Sequence, residues 1–172
     1  MKQVGRLRAL QESDLDLLLQ WRNHPQVSRH MFNPAVIEPS SHRRWFDKTR
    51  ENPLIHAFVF ERGTGPAGFV RLDQRSPDQR LGEWGFYAAP DAPRGTGRLM
   101  GAAAITHAFE VLNWHRVAGW TLANNERSIK MHLALGFRQE GLMREHHQIG
   151  NTFVDVCCFG LLRSEWPVTI KE

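Results

Sequence analysis

Arg94-Gly95-Thr96-Gly97-Arg98 is the stretch of this chain whose residue types speak most directly of chemistry. Two glycines let a backbone fold tightly enough for several N–H groups to face one anion, and a following helix adds its dipole. Arg94 and Arg98 supply charge-assisted donors. A glycine-bearing turn before a helix is the plainer reading of the same residues. The segment is no Walker loop, because it lacks G-x-x-x-x-G-K-[ST]. It is a poor dinucleotide fingerprint as well, with its third glycine misplaced and its preceding strand in an antiparallel run. Ser128 and His132, four residues apart, share a helix face. An imidazole titrates near neutrality and can exchange a proton there. Metal chemistry is not predicted. His146 and His147 are strand neighbours that diverge, and the adjacent Cys157 and Cys158 read as two reduced thiols, unsuited to a bridge and too few for zinc.

The elements that must position these residues follow from pattern and punctuation. A first strand is predicted over Val4–Ala9. Ser13 with Asp16 reads as a capping box before Leu15, Leu18, Leu19 and Trp21, and the helix should end near Asn23–Pro25. A second helix is predicted from Ser41 through Trp45 to Arg50. Leu54–Glu61 and Ala67–Asp73 form a hairpin about the turn Arg62-Gly-Thr-Gly-Pro66, and Leu81–Ala88 is a third long strand. After the glycine loop come a helix over Arg98–Leu112 and a strand over Val117–Leu122. A helix opened by Asn124-Asn125 and closed by Gly136 follows. Strands Phe137–His147 and Phe153–Leu162 then flank Gly150-Asn151. The class is α/β (α+β): a mixed, mostly antiparallel sheet of about seven strands with about four helices. A crossover helix makes Leu81–Ala88 and Val117–Leu122 parallel.

The 172 residues suit one domain, with a core over about 4–165 and no linker or repeat. A 41% hydrophobic and 23% charged composition is that of an ordinary globular chain. No signal-peptide core opens the sequence and no run approaches a membrane span, so a soluble, cytoplasmic protein is expected. The net charge of +4 favours anionic ligands. Its basic residues are scattered, with no nucleic-acid motif, so a polyphosphate small molecule fits better than a duplex.

With these residues in hand, the chain resembles the GNAT acetyltransferases. Arg94-Gly95-Thr96-Gly97 is similar to that family's Q/R-x-x-G-x-G/A pyrophosphate loop. Asn125, Ser128, His132 and Gly136-Phe137 match its second signature, which has Asn, a small residue, usually Tyr, and Gly-Phe. Two positions depart from the pattern. Leu99 stands where the loop has Gly or Ala, with Gly101 expected to relieve the crowding, and His132 stands in place of Tyr. A narrower resemblance rests on Leu7-Arg8-Ala9, Asp14, Trp21-Arg22-Asn23, Val27, Met31 and His42-x-x-Trp45. It points to the branch that acetylates the 4-amino group of a UDP-linked 4-amino-4,6-dideoxy sugar, on the route to pseudaminic acid.

What the resemblance implies is an acetyl-CoA-dependent N-acetyltransferase that needs no metal. The cofactor would be held by Arg94, Gly95, Thr96, Gly97, Arg98, Asn125 and Ser128. Backbone groups near Phe86, Tyr87 and Ala88, on the splayed strands, would hold the pantetheine arm. Acetyl transfer needs a deprotonated amine, an oxyanion donor and a proton for the leaving sulfur. His132 is the candidate acid, against a merely polar residue at the cofactor's edge. Glu83 is the candidate base, acting directly or through water, and a direct role needs burial to raise its pKa; the plain alternative is an exposed or salt-bridged strand residue, and an amine that binds already neutral needs no base. Arg22, His42 and Arg71 are candidate contacts to a nucleotide diphosphate, with Trp45 or Trp84 stacked on uracil or sugar. The plainer alternatives are an Arg22 paired to a carboxylate and a Trp45 in helix packing. A homodimer is common in such enzymes. Competing expectations are a polyamine, ribosomal-protein N-terminal or aminoglycoside acetyltransferase, and a non-catalytic acyl-CoA-binding module. A polyamine enzyme should offer an acidic acceptor groove.

Overall fold

The computed structural model describes residues 5–63 and 65–166. Val4 and Thr64, included in the predicted first strand and first turn, lie outside them. Seven strands form one sheet in the order β1-β2-β3-β4-β5-β7-β6. They are β1 (Arg6–Ala9), β2 (Ile55–Arg62), β3 (Gly65–Gln74), β4 (Leu81–Ala88), β5 (Arg116–Leu122), β6 (Arg138–Ile149) and β7 (Thr152–Leu162). Every neighbouring pair is antiparallel except β4 and β5, the pair joined by the crossover helix. The parallel pairing runs only from Leu81↔Arg116 to Glu83↔Ala118. Beyond Glu83, β4 keeps its partner β3 on one side, with Gly68 opposite Ala88, but has none on the other. The two strands therefore splay.

Five α-helices flank the sheet: α1 (Leu15–Asn23), α2 (Pro25–Ser28), α3 (Pro39–Glu51), α4 (Thr96–Thr106) and α5 (Glu126–Ala134). The count exceeds the expected four because α2 follows α1 at once. Pro25, which ends the first helix, also starts the next at a position where its missing N–H costs nothing. Helix α4 runs on into a π-helical turn, His107–Val111.

Strand alternation sorts residues between two faces. Val70, Leu72, Trp84 and Phe86 join the main core under α4 and α5, together with the fully buried Met100, Ile105, Phe109 and Trp114. Phe69 and Tyr87 face the other way, packing with Leu18, Trp21 and Trp45 of α1 and α3. Arg71 and Gly85 share that second face.

The start of α1 corrects the expected Ser13–Asp16 capping box. Glu12–Asp14 is a 3-10 turn, and the Asp14 carboxylate accepts the Gln11 N–H at 2.8 Å. The same carboxylate takes two hydrogen bonds from Arg8, at 2.8 and 2.9 Å, while Arg8 Nε donates to Glu61 at 2.9 Å. Arg8 and Asp14 thus tie β1, β2 and the entry to α1 into one joint.

Candidate active site

The glycine loop has the conformation its composition requires. Gly95, at φ +87°, caps α4 in the left-handed region that only glycine adopts cheaply, and a Cβ there would meet nothing. Thr96 turns inward: it is 2% exposed and its hydroxyl donates to the Pro93 carbonyl at 2.6 Å. Arg62, which the sequence reading did not single out, clamps the loop from β2. Its Nη1 donates to the Pro93 and Arg94 carbonyls and to the Thr96 hydroxyl at 2.8–3.1 Å. Arg62 was visible only as part of a turn. Arg94 and Arg98 are exposed, and neither forms a salt bridge among the described residues. Leu99 does not crowd the loop. It lines a separate depression with Leu7 and His107 on the outer side of α4. Gly101 has a packing role instead of the expected relief, since its Cβ would lie 2.5 Å from Leu135 and 3.2 Å from Trp84.

A groove of about 230 Å³ opens where the strands splay. Phe86, Tyr87 and Ala88 form one wall, Gly97 and Met100 of α4 the floor, and Asn125, Ser128 and Met131 of α5 the other wall. Gly97 leaves room that a side chain would take, its Cβ reaching 3.1 Å from Met131. Asn125 spends its amide oxygen on the Ser128 N–H at 3.1 Å, capping α5. Met31, named before only in the narrower resemblance, and Phe32 and Trp120, not singled out, also line the groove. Their apolar types carry no chemical signal in the sequence.

His132 does not line this groove. It is 1% exposed, stacked on Phe159 at 4.6 Å and edge-on to Phe137 and Trp84. Its Nδ1 donates to the Ser128 carbonyl at 2.8 Å, an acceptor only. Its Nε2 accepts the Trp84 indole N–H at 3.2 Å, a donor only. Those partners fix one neutral tautomer, and burial lowers the pKa despite the Ser128 bond. Such a ring has no proton directed at a sulfur, so the expected acid is corrected to a joint between α5 and β4. Trp84 is corrected with it. Alternation turns it away from Arg71 and Tyr87, it is 5% exposed, and it lies flat on Phe137 at 5.5 Å. No ring face remains for uracil. Glu83 shares the face of Gly85 and Tyr87 but is exposed, with Asp73 directly across on β3, so the burial that a direct base requires is missing.

On the sheet face of Tyr87 lies a second cavity, of about 530 Å³. Four of the five predicted acceptor contacts, Arg22, His42, Trp45 and Arg71, line it, and Tyr87 lines both cavities. Among the described residues, Arg22 is not paired with a carboxylate. Its Nη2 donates to the Asn33 carbonyl at 2.6 Å, and its buried Nη1 has no hydrogen-bond partner. Burial lowers its pKa, and the guanidinium stays charged because its ordinary value lies so far above neutrality. His42 stacks on Trp45 at 5.0 Å; burial, then the Arg22 charge, lower its pKa, so it offers a neutral imidazole. Burial also raises the phenol of Tyr87, the chain's single tyrosine, keeping it protonated. Asn23 holds the cavity's outer wall by exchanging two hydrogen bonds with the backbone of Ile37, at 2.8 and 2.9 Å. The Trp21-Arg22-Asn23 element therefore builds this wall.

The sequence profile described as acetyltransferase (GNAT) domain matches residues 6–138. The chain belongs to the GNAT acetyltransferase family. It is an acyltransferase that uses acetyl-CoA as donor. The loop and groove fit such a carrier: the left-handed Gly95, the bare Gly97 and the unpaired Arg94 and Arg98 leave backbone and cationic donors open. The enzyme is 31% identical to the spermidine N(1)-acetyltransferase of Escherichia coli K12 over 146 residues, covering 81% of this chain and 76% of that one. It is 25% identical to acetyltransferase PseH of Campylobacter jejuni over 126 residues, covering 72% and 76%. Its fold matches the crystal structure of spermidine N-acetyltransferase from Vibrio cholerae in complex with CoA and spermine, with a TM-score of 0.87 and 23% identity over 94% of this chain and 97% of that one. Among the described residues, no three His, Cys, Asp or Glu side chains group to hold a metal ion, and no helix is long and apolar enough to cross a membrane.

Proposed function

We propose that the enzyme acetylates the amino group of an anionic acceptor, a UDP-linked 4-amino-4,6-dideoxy sugar, bound in the cavity of Arg22, His42, Trp45 and Arg71. The observation that carries this reading is Arg22. The residue is half-buried, but its Nη1 is buried without a partner among the described residues, which is costly unless a ligand completes it, and an anion does so best. Arg71 adds a second cation, and Glu38 is the single acidic residue of the lining. A polyamine, which arrives as a polycation, finds there the wrong sign of field.

The roles follow from position. Bound acetyl-CoA supplies the activated acyl group. In this proposal Arg94, Gly95, Thr96, Gly97, Arg98, Asn125 and Ser128 hold it, Thr96 by its backbone. Arg22 and Arg71 fix the acceptor's charge and Trp45 offers a ring face. The neutral His42 can accept a hydrogen bond from the acceptor amine, which reacts in its unprotonated form without a dedicated base. Tyr87, at the meeting of the two cavities, offers its O–H to the reacting centre.

The second reading is a polyamine acetyltransferase, favoured by the 31% identity to the E. coli enzyme. Thiol release from acetyl-CoA decides between them, measured with a UDP-4-amino sugar, spermidine, an aminoglycoside and a ribosomal N-terminal peptide. Turnover is expected with the sugar nucleotide, and Arg22→Gln should raise its KM about tenfold or more while leaving the KM for acetyl-CoA in place. Turnover with spermidine alone overturns the proposal.

A further inference from the structure

Ser41, Arg44, Trp45, Lys48, Thr49 and Asn52 recur along α3 and its C-cap at helical spacing and so lie on one face. The residues that α3 buries are His42, Phe46 and Thr49, and the rest of the stripe lies beside them, with Ser41, Arg44, Lys48 and Asn52 exposed. The stripe carries two cations and stays open, lining a cavity of about 490 Å³ whose far wall is Ile55 of β2 and Arg71 of β3. Among the described residues no acidic side chain lines it, and Asp47 and Glu51 fall outside the stripe. Ser41, Trp45 and Arg71 also line the acceptor cavity, so the two spaces run into each other.

Among the described residues, Arg71 is ion-paired while Arg44 and Lys48 have no carboxylate partner. Asp73 takes only the Nε of Arg71, at 2.7 and 2.9 Å. Arg44 donates to the neutral Ser41 hydroxyl at 2.9 Å. Lys48 forms no salt bridge among the described residues. Three positive groups around one opening suit a ligand with several anionic oxygens rather than a single carboxylate. The joined spaces have the size of a nucleotide site rather than that of a lone amine.

We propose that the groove beneath α3 is an anion subsite for the diphosphate end of the acceptor, held by Arg44, Lys48 and Arg71, while the amine end reaches Tyr87. This rests on the reading of the adjoining cavity as the acceptor site. The test is titration calorimetry with UDP as probe at low and moderate salt. It compares the wild type, a variant carrying Arg44→Ala with Lys48→Ala, and Arg22→Gln. Arg44 and Lys48 are exposed, so the double variant should keep its melting temperature and its affinity for acetyl-CoA. UDP should bind the double variant about tenfold more weakly, with a shallower salt dependence. Equal UDP affinity in wild type and double variant, with Arg22→Gln weakened, overturns the subsite and leaves the acceptor reading standing. No UDP binding to the wild type, together with turnover of spermidine, overturns both.

Discussion

His132 shows how one side chain changes role when its neighbours are counted. Exposed, an imidazole in the place of the family's usual tyrosine would be a ready acid. Enclosed by Phe137, Phe159 and Trp84, it becomes a spacer with two satisfied nitrogens. His132→Phe should keep the ring packing but strand the buried Trp84 N–H. The expected loss is about 2 kcal/mol of stability, measured by urea unfolding. The pH profile of kcat should keep its shape, because no titrating acid is removed. Disappearance of a limb of that profile would return His132 to the chemistry. Arg22 is the opposite case, a residue whose plain alternative, a carboxylate partner, is absent among the described residues.

At the scale of elements, the site exists because β4 and β5 part after three residue pairs. Gly119 of β5 allows His132 and Trp84 to sit where they do. A Cβ there would lie 2.5 Å from His132 Nε2 and 2.8 Å from Trp84 Nε1. Gly119→Ala should therefore cost about 2 kcal/mol by overpacking and weaken acetyl-CoA binding through displaced strands, read by thermal melts and calorimetry. The Arg8–Asp14–Glu61 joint makes a separate prediction. Asp14→Ala removes both Arg8 bonds and the Gln11 contact, and about 2 kcal/mol should be lost in chemical denaturation. A loss below about 0.5 kcal/mol would mark the joint as no more than a surface pair.

For the whole molecule, five histidines share a direction. His30, His42, His56, His107 and His132 all have pKa values lowered chiefly by burial. Unfolding frees them to take up protons near the ordinary value of about 6.5. Their contribution to stability is therefore complete above that pH and declines as pH falls below it toward the folded values. Asp14 acts in the same direction at lower pH. Burial alone would raise its pKa, but the Arg8 and Gln11 hydrogen bonds and the Arg8 charge outweigh it, so its stabilisation fades as the carboxylate protonates below about pH 4. The melting temperature should rise from pH 5 to pH 7 and then level off. Calorimetric unfolding at pH 6 should bind protons, and proton release there would contradict the burial of these rings.

Local signals in the sequence determine much of this protein by themselves. Pro25, Gly95, Gly136 and Gly150 punctuate the chain through backbone restrictions that act at single residues. Strand and helix periods likewise put Leu81–Ala88 and the Asn125 helix where they stand. The parallel β4–β5 pair followed from the crossover rule, and the glycine loop from its own composition. What the tertiary structure alone decided was which face and which depth each side chain occupies. Trp84 and Tyr87 lie three residues apart on one strand, yet one is core and the other joins two cavities, because alternation and the packing of α5 send them to opposite sides. Arg62, distant in sequence, holds the loop, and Arg22 and Arg71 line one cavity from separate elements. Distance along the chain carries no record of such shared surroundings. They arise when the sheet closes under its helices and burial assigns each ionisable group its proton.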